Sequence, residues 1–163
     1  QDVFLFADSL YNNITLFNPE ISKEQVITAA KTIGVHDFIE SLPGGYDYNV
    51  KERGVMLSSG QRQLIAFLRA YISKPNILVL DEATSSVDSY SEEIIQKAID
   101  TLTEGKTSIV IAHRLATVKN ASRIVVMDHG KIVEQGTHDE LLKIPDGFYA
   151  KLYEVQFAET PVL

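Results

Sequence analysis

One helix with a motif at either side limits what this chain can fold into more than any other feature. Leu57-Ser58-Ser59-Gly60-Gln61 opens the helix, and the strand that follows it, Ile77-Leu78-Val79-Leu80, runs straight into Asp81-Glu82. Four consecutive apolar residues between Pro75-Asn76 and a carboxylate pair read as a buried parallel strand. That reading puts Asp81 and Glu82 at the carboxyl end of a strand, the edge at which open α/β sheets carry their chemistry. Two adjacent acids there suit one magnesium partner and one base. The Ser-Ser-Gly turn offers backbone N–H groups, serine hydroxyls and a helix dipole to an anion, with phosphate the obvious ligand.

The rest of the chain divides at about the same place. Ser22 ahead of Glu24-Gln25, with apolar Val26, Ile27, Ala30 and Ile33, predicts a capped amphipathic helix over about 22–33 that Gly34 stops. A short helix over Val35 to Leu42 ends at Pro43-Gly44-Gly45, a loop spans Tyr46 to Met56, and the helix opened by Ser58 runs to about Ser73. Beyond Leu80 the pattern alternates: a helix from about Ser89, a strand Thr107 to Ala112, a short helix from Leu115 and a strand Arg123 to Met127. Strand, helix, strand, helix, strand is the pattern of a parallel sheet. Asp128-His129-Gly130-Lys131 then predicts a tight hairpin, followed by helices over Thr137 to Leu142 and Phe148 to about Phe157. The stripe Phe148, Tyr149, Leu152, Tyr153, Phe157 reads as the docking face of the last helix.

Composition narrows the function classes. Fifteen Lys and Arg against 22 Asp and Glu leave a net charge of −7, so a nucleic-acid partner has no electrostatic footprint. The absence of Cys removes disulfides and thiolate-bound metals. The longest apolar runs, such as Ile77 to Leu80 and Ile124 to Met127, fall well short of the roughly 20 residues of a membrane span, and no signal-peptide pattern opens the chain. Membrane attachment, if any, is expected from other sequence.

With these residues in order, the chain resembles the nucleotide-binding domain of ATP-binding cassette (ABC) transporters, and within that family the exporters. Gln1-Asp2-Val3-Phe4-Leu5-Phe6, with Ser9 to Ile14 after it, is similar to the Q-loop region, and Glu52-Arg53-Gly54 to the exporter X-loop. Leu57 to Gln61 is similar to the signature loop and Ile77 to Glu82 to the Walker B strand with its following glutamate. Ser85-Ser86-Val87-Asp88 is similar to the D-loop, and Ile111-Ala112-His113-Arg114-Leu115 to the switch-histidine loop. The resemblance implies an α/β, P-loop NTPase-like (ABC ATPase) fold in truncated form. It comprises a helical subdomain over about 15–74 and the C-terminal part of the parallel-sheet catalytic core over about 75–163.

It also implies roles. Glu82 would orient and deprotonate the attacking water, and His113 would contact the γ-phosphate. Asp81 would hold Mg²⁺ through its water shell, with Gln1 a second metal contact and sensor. Ser58, Ser59, Gly60 and Gln61, together with Asp88, would meet the ATP of a partner domain, and Glu52, Arg53 and Gly54 would serve coupling. Read from the residues alone, Ser58 and Asp88 are also good helix N-caps. Phe4, Leu5, Phe6 and Tyr11 suit either a core or a docking surface. His36, His129 and His138 have no motif around them and read as solvated or capping. Two positions depart from the family pattern: Ser59 and Lys51 stand where glycine is usual. If the Ser59 position needs φ > 0, serine costs about 1 kcal/mol there.

The partners implied are the exporter's transmembrane domains and a second nucleotide-binding domain in a head-to-tail dimer, at the cytoplasmic face of the membrane, with ATP and Mg²⁺ as cofactors. No G-x-x-x-x-G-K-[ST] phosphate loop occurs in the 163 residues. The chain alone is therefore expected to be inactive, as the C-terminal part of a longer cassette. Two other classes share parts of the pattern: a soluble ABC-type ATPase of the translation or DNA-repair kind, and a non-catalytic interaction module. Gln61, Glu52 to Gly54 and Phe148 to Tyr153 favour the exporter.

Overall fold

The computed structural model describes residues 3–81, 89–111 and 118–158. They fall into two compact units, Gln1–Ile109 and Val110–Leu163. The first unit opens with helices α1 (Leu10–Thr15), α2 (Lys23–Ile33) and α3 (His36–Glu40), then two short 3₁₀ turns, Gly45–Asp47 and Glu52–Gly54. The long helix α4 (Ser59–Ser73), strand β1 (Ile77–Asp81) and helix α5 (Ser89–Thr103) follow, and β2 (Thr107–Ile111) closes the series. The second unit holds β3 (Ile124–Asp128), β4 (Lys131–Gly136), α6 (His138–Leu141) and α7 (Phe148–Ala158). Among the described residues no helix is long and apolar enough to cross a membrane.

The helix ends follow from local chemistry. In α2 the Ser22 hydroxyl accepts from the Gln25 N–H at 3.3 Å while the Gln25 side chain accepts from the Ser22 N–H at 2.8 Å, a reciprocal capping box. Gly34 ends that helix at φ 80°, where a Cβ is unfavourable. Helix α6 repeats the box with Thr137 and Glu140. The core of the first unit gathers around α4, whose buried Leu64, Ile65 and Leu68 share one face and whose length contacts α1, α2 and α5. Leu10, Ile14, Val26, Ala30, Ile33, Ile95 and Leu102 complete it. Burying each Leu or Ile of this stripe contributes about 1.5–3 kcal/mol.

Strands β1 and β2 are neighbours in a parallel sheet joined by the crossover helix α5, the connection that parallel strands require. The expectation of a fully buried β1 is corrected. Leu78 and Leu80 are buried, but Ile77 and Val79 are 63% and 62% exposed. Successive side chains point to opposite faces of a strand, and among the described residues only one face of this sheet is covered.

The second unit is built on the hairpin anticipated from Asp128-His129-Gly130-Lys131. Strands β3 and β4 pair antiparallel, with Asp128 opposite Lys131 and a bulge at Val126/Met127. His129 and Gly130 have φ 46° and 75°, the positive values that a two-residue turn of the favoured hand needs at both central positions. Ile124, Val126, Leu141 and Tyr149 form its core, with Val118 packed against them. Two readings are corrected here. His138 is buried, not solvated: its Nδ1 lies 2.8 Å from the Tyr149 hydroxyl, and burial raises the pKa of that hydroxyl, with Tyr153 adding to the shift. The last helix docks through Tyr149, whereas Phe148 and Leu152 are 50% and 57% exposed. Its start is capped by Glu134, whose two carboxylate oxygens accept the N–H groups of Phe148 at 2.7 Å and Tyr149 at 3.0 Å.

Candidate functional site

The start of α4 is built by one serine and one glutamine. Ser58 has extended backbone, φ −64° and ψ 165°, and its hydroxyl accepts from the Gln61 N–H at 3.2 Å. The Gln61 side chain accepts from the Ser58 N–H at 2.9 Å, closing a capping box. This is the arrangement Ser-x-x-Gln favours. The first-turn donor of Gln61 and the N-cap donor of Ser58 are thereby engaged, while the first N–H groups of any helix have no partner within it. No acidic residue sits in the first turn, so the positive end of the helix dipole is not neutralised. Ser58 and Ser59 are exposed, Gly60 is buried and Gln61 is half-buried. Arg62, one turn in, donates from Nη1 to the Leu57 carbonyl at 2.6 Å and so anchors the loop to its own helix.

Strain lies elsewhere than the sequence suggested. Ser59 is the first residue of α4 and is not among the residues with positive φ, so no left-handed cost arises there. Lys51, the other departure, has φ 59° and ψ −174°. Side chains in that region of backbone space cost about 1–3 kcal/mol, which is why it is nearly confined to glycine. The loop holds Lys51 there by two hydrogen bonds: its N–H donates to Asn49 Oδ1 at 2.9 Å and its carbonyl accepts from the Gly54 N–H at 3.3 Å. Lys51→Gly is expected to stabilise the fold by about 1 kcal/mol, the relief of strain exceeding the roughly 0.5–1 kcal/mol of added chain entropy. Thermal unfolding would show this as a rise of about 2–4 °C.

Glu52 and Gly54 sit in the 3₁₀ turn that follows, with Glu52 exposed; of Arg53 the backbone belongs to the same turn. Gly54 has φ 65°, and a Cβ on it would come within 2.6 Å of Leu5 Cδ1. Leu5 is fully buried, so the space belongs to that side chain. The turn thus rests directly on the segment that follows Gln1.

Asp81 ends β1 and is exposed. It lines a cleft of about 290 Å³ whose wall also includes Val3, Ser59, Arg62, Gln63 and Leu80. The end of β1 and the first turns of α4 therefore open on one space. Among the described residues no group of three or more His, Cys, Asp or Glu side chains converges, and Asp81 is the carboxylate that the described end of β1 offers a cation. That fits Mg²⁺, which is typically held by one or two carboxylates, waters and substrate phosphates. Gln1, Glu82, Asp88 and His113 lie outside the described residues.

The residues that sequence reasoning missed are Asn13 and Arg69. Asn13 is fully buried. Its Nδ2 donates to the carbonyls of Ser9 at 2.9 Å and Phe6 at 3.0 Å, and its Oδ1 accepts from the Phe6 N–H at 2.8 Å. Arg69, near the end of α4, donates from Nη2 to Asn13 Oδ1 at 3.0 Å, from Nε to the Asn13 carbonyl at 2.6 Å, and from Nη1 to the Phe4 carbonyl at 2.8 Å. Burial lowers the pKa of the guanidinium. A signal existed: Asn13 occupies a core-facing position between Leu10 and Ile14, where a polar side chain must find partners. The apolar cluster read as core or docking surface divides along the chain: Leu5 is buried, while Phe4 and Phe6 are 60% and 41% exposed.

Similarity to known proteins agrees with this arrangement. The chain is 54% identical over 156 residues to the ATP-dependent lipid A-core flippase of Legionella pneumophila (strain Lens), covering 96% of this chain and 26% of the relative. It is 53% identical over 156 residues to the alpha-hemolysin translocation ATP-binding protein HlyB of Escherichia coli O6:H1, covering 96% and 22%. It thus spans about a quarter of the length of the curated relatives it matches. Among solved structures, a bacterial Atm1-family ABC exporter with ATP bound superposes with a TM-score of 0.84 at 40% identity, over 96% of this chain and 27% of that one. That superposition places the chain in the P-loop NTPase-like fold of ABC ATPases, and with residues 1–85 matching the ABC transporter family, the chain belongs to that family.

Proposed function

We propose that this chain is part of the ATP-binding and hydrolysing domain of an ABC exporter, coupling ATP hydrolysis to movement of a substrate across a membrane. The observation that carries the reading is the pair of sites on one scaffold: an exposed, serine-capped start of α4 with no acid in its first turn, and an exposed Asp81 at the end of β1, directly followed by Glu82. Ser58, Ser59, Gly60 and Gln61, with Asp88, bind the terminal phosphate of ATP held by a second nucleotide-binding domain in a head-to-tail dimer. Asp81, with Gln1, would hold Mg²⁺, and that ion would supply positive charge to offset the phosphates. Glu82 accepts the proton of the attacking water, and His113 donates to the γ-phosphate. Glu52, Arg53 and Gly54 pass the nucleotide state to transmembrane domains, at the cytoplasmic face of the membrane.

The test compares the intact protein with the isolated 163-residue chain. In vesicles the intact protein is expected to hydrolyse Mg-ATP, at a typical enzyme rate of about 1–10³ per second. The isolated chain is expected to show no heat of Mg-ATP binding in calorimetric titration, because no phosphate loop lies within it. Micromolar binding by the isolated chain would place the nucleotide elsewhere than proposed. Absence of hydrolysis by the intact protein would sink the enzymatic reading.

A further inference from the structure

Residues 3–9 are fastened to α4 in two places, one near its start and one near its end. At one end Leu5 is buried against Gly54, whose own loop runs on to Leu57, and the Leu57 carbonyl is held by Arg62 of α4. At the other end Arg69 spends all three faces of its guanidinium on the Phe4 carbonyl and on the backbone and side chain of Asn13. The Asn13 side chain in turn accepts from the Phe6 N–H through Oδ1 and donates to the Phe6 carbonyl through Nδ2. The backbone of this segment is therefore locked, while its outward side chains form an exposed aromatic platform. Phe6 meets Phe4 edge-on at 5.1 Å and Phe17 at 5.5 Å between ring centroids. Phe17 is held at that point by two successive left-handed residues, Leu16 at φ 53° and itself at φ 60°.

We propose that Arg69 is a positioning residue that, with Asn13, joins the Phe4–Phe6–Phe17 platform to α4, so that a displacement of the platform moves Ser58 and a closure at Ser58 is felt at the platform. The planar fork of Arg69 suits this link because its geometry fixes three acceptors at once; a Lys ammonium at the same site is a point charge on a flexible stem. A 15-residue helix carries the displacement from its last turn to its first as a rigid body. Coupling of this kind is reciprocal, so it can be read from either end. The proposal rests on the transporter reading given above.

The experiment is hydrogen exchange on the intact protein in lipid nanodiscs, with and without Mg-ATP and vanadate as phosphate analogue. In the wild type, both the 57–61 amides and the 4–8 amides are expected to slow by about 5-fold or more on adding nucleotide. In Arg69→Lys the 57–61 response is expected to persist while the 4–8 response shrinks to about 2-fold, the share that is left being carried by Leu5 against Gly54. A residue with only a packing role would leave both responses in place, and an unchanged 4–8 response in the variant overturns the proposal. Absence of any response at 57–61 in the wild type would instead sink the transporter reading, and the link with it. If Arg69→Lys does not fold, the wild type decides alone. In mild denaturant the amides of Phe6 and Asn13 are expected to open together with the last turn of α4, and opening of 3–9 while that turn stays protected overturns the link.

Discussion

Glu82→Gln in the intact protein is expected to slow ATP hydrolysis by about 10²–10⁴-fold, the usual contribution of a general base, with ATP binding nearly unchanged. Glu82 follows the last residue of β1, and the exposed Asp81 beside it is the carboxylate available to a cation there. In the proposed reaction the two adjacent acids divide the work: Asp81 would hold the metal, and Glu82 would take a proton from water. An amide has the size of the carboxylate and keeps a hydrogen-bond acceptor, but it has no basicity. The loss should therefore fall on kcat rather than on KM, which is the pattern of an interaction made only in the transition state. Single-turnover hydrolysis and nucleotide binding, measured side by side, separate the two. Wild-type turnover in the variant would remove Glu82 from the reaction.

Ser58→Arg should abolish steady-state turnover while sparing ATP binding to the open protein. The hydroxyl of Ser58 is engaged with Gln61 at the mouth of α4, and the side chain is exposed. In the proposed head-to-tail dimer a long cation there would fill the space of the second domain's nucleotide, so closure would fail even though each open site could still load. Ser58→Ala provides the control. It removes the cap, at a cost of about 0.5–2 kcal/mol of helix stability, together with the hydroxyl proposed to meet phosphate, but adds no bulk, so turnover should fall less than in Ser58→Arg. Equal loss of turnover in both variants would mean that the cap and not the interface is what the reaction needs. Equal loss of ATP binding in both would argue against a head-to-tail arrangement.

Much of the local structure was legible because it is decided within a few residues. The box between Ser58 and Gln61, that between Ser22 and Gln25, the stop at Gly34 and the hairpin at His129-Gly130 each depend on contacts no more than four positions apart. The order of motifs along the chain carried the family for the same reason, since each motif is a short stretch with its own backbone chemistry. What the sequence could not settle is which face of an element other residues cover. Ile77 and Val79 share a strand with Leu78 and Leu80 and are equally apolar, yet only the leucines are buried. Phe148 and Tyr149 are adjacent aromatics, yet only Tyr149 turns inward, where its hydroxyl meets His138 and its ring joins the core of Ile124, Val126 and Leu141. Lys51 and Ser59 both replace glycine, but only the path of the loop between Asn49 and Gly54 puts one of them at positive φ. Arg69 shows the limit most clearly. Its partners Asn13 and Phe4 lie 56 and 65 positions away, and a guanidinium on a helix surface has no local rule that names a distant carbonyl. Capping, turns and periodicity were therefore written in the sequence itself. Burial and the buried polar link waited on the packing of α1 against α4, because only that packing removes water and obliges Asn13 and Arg69 to satisfy one another.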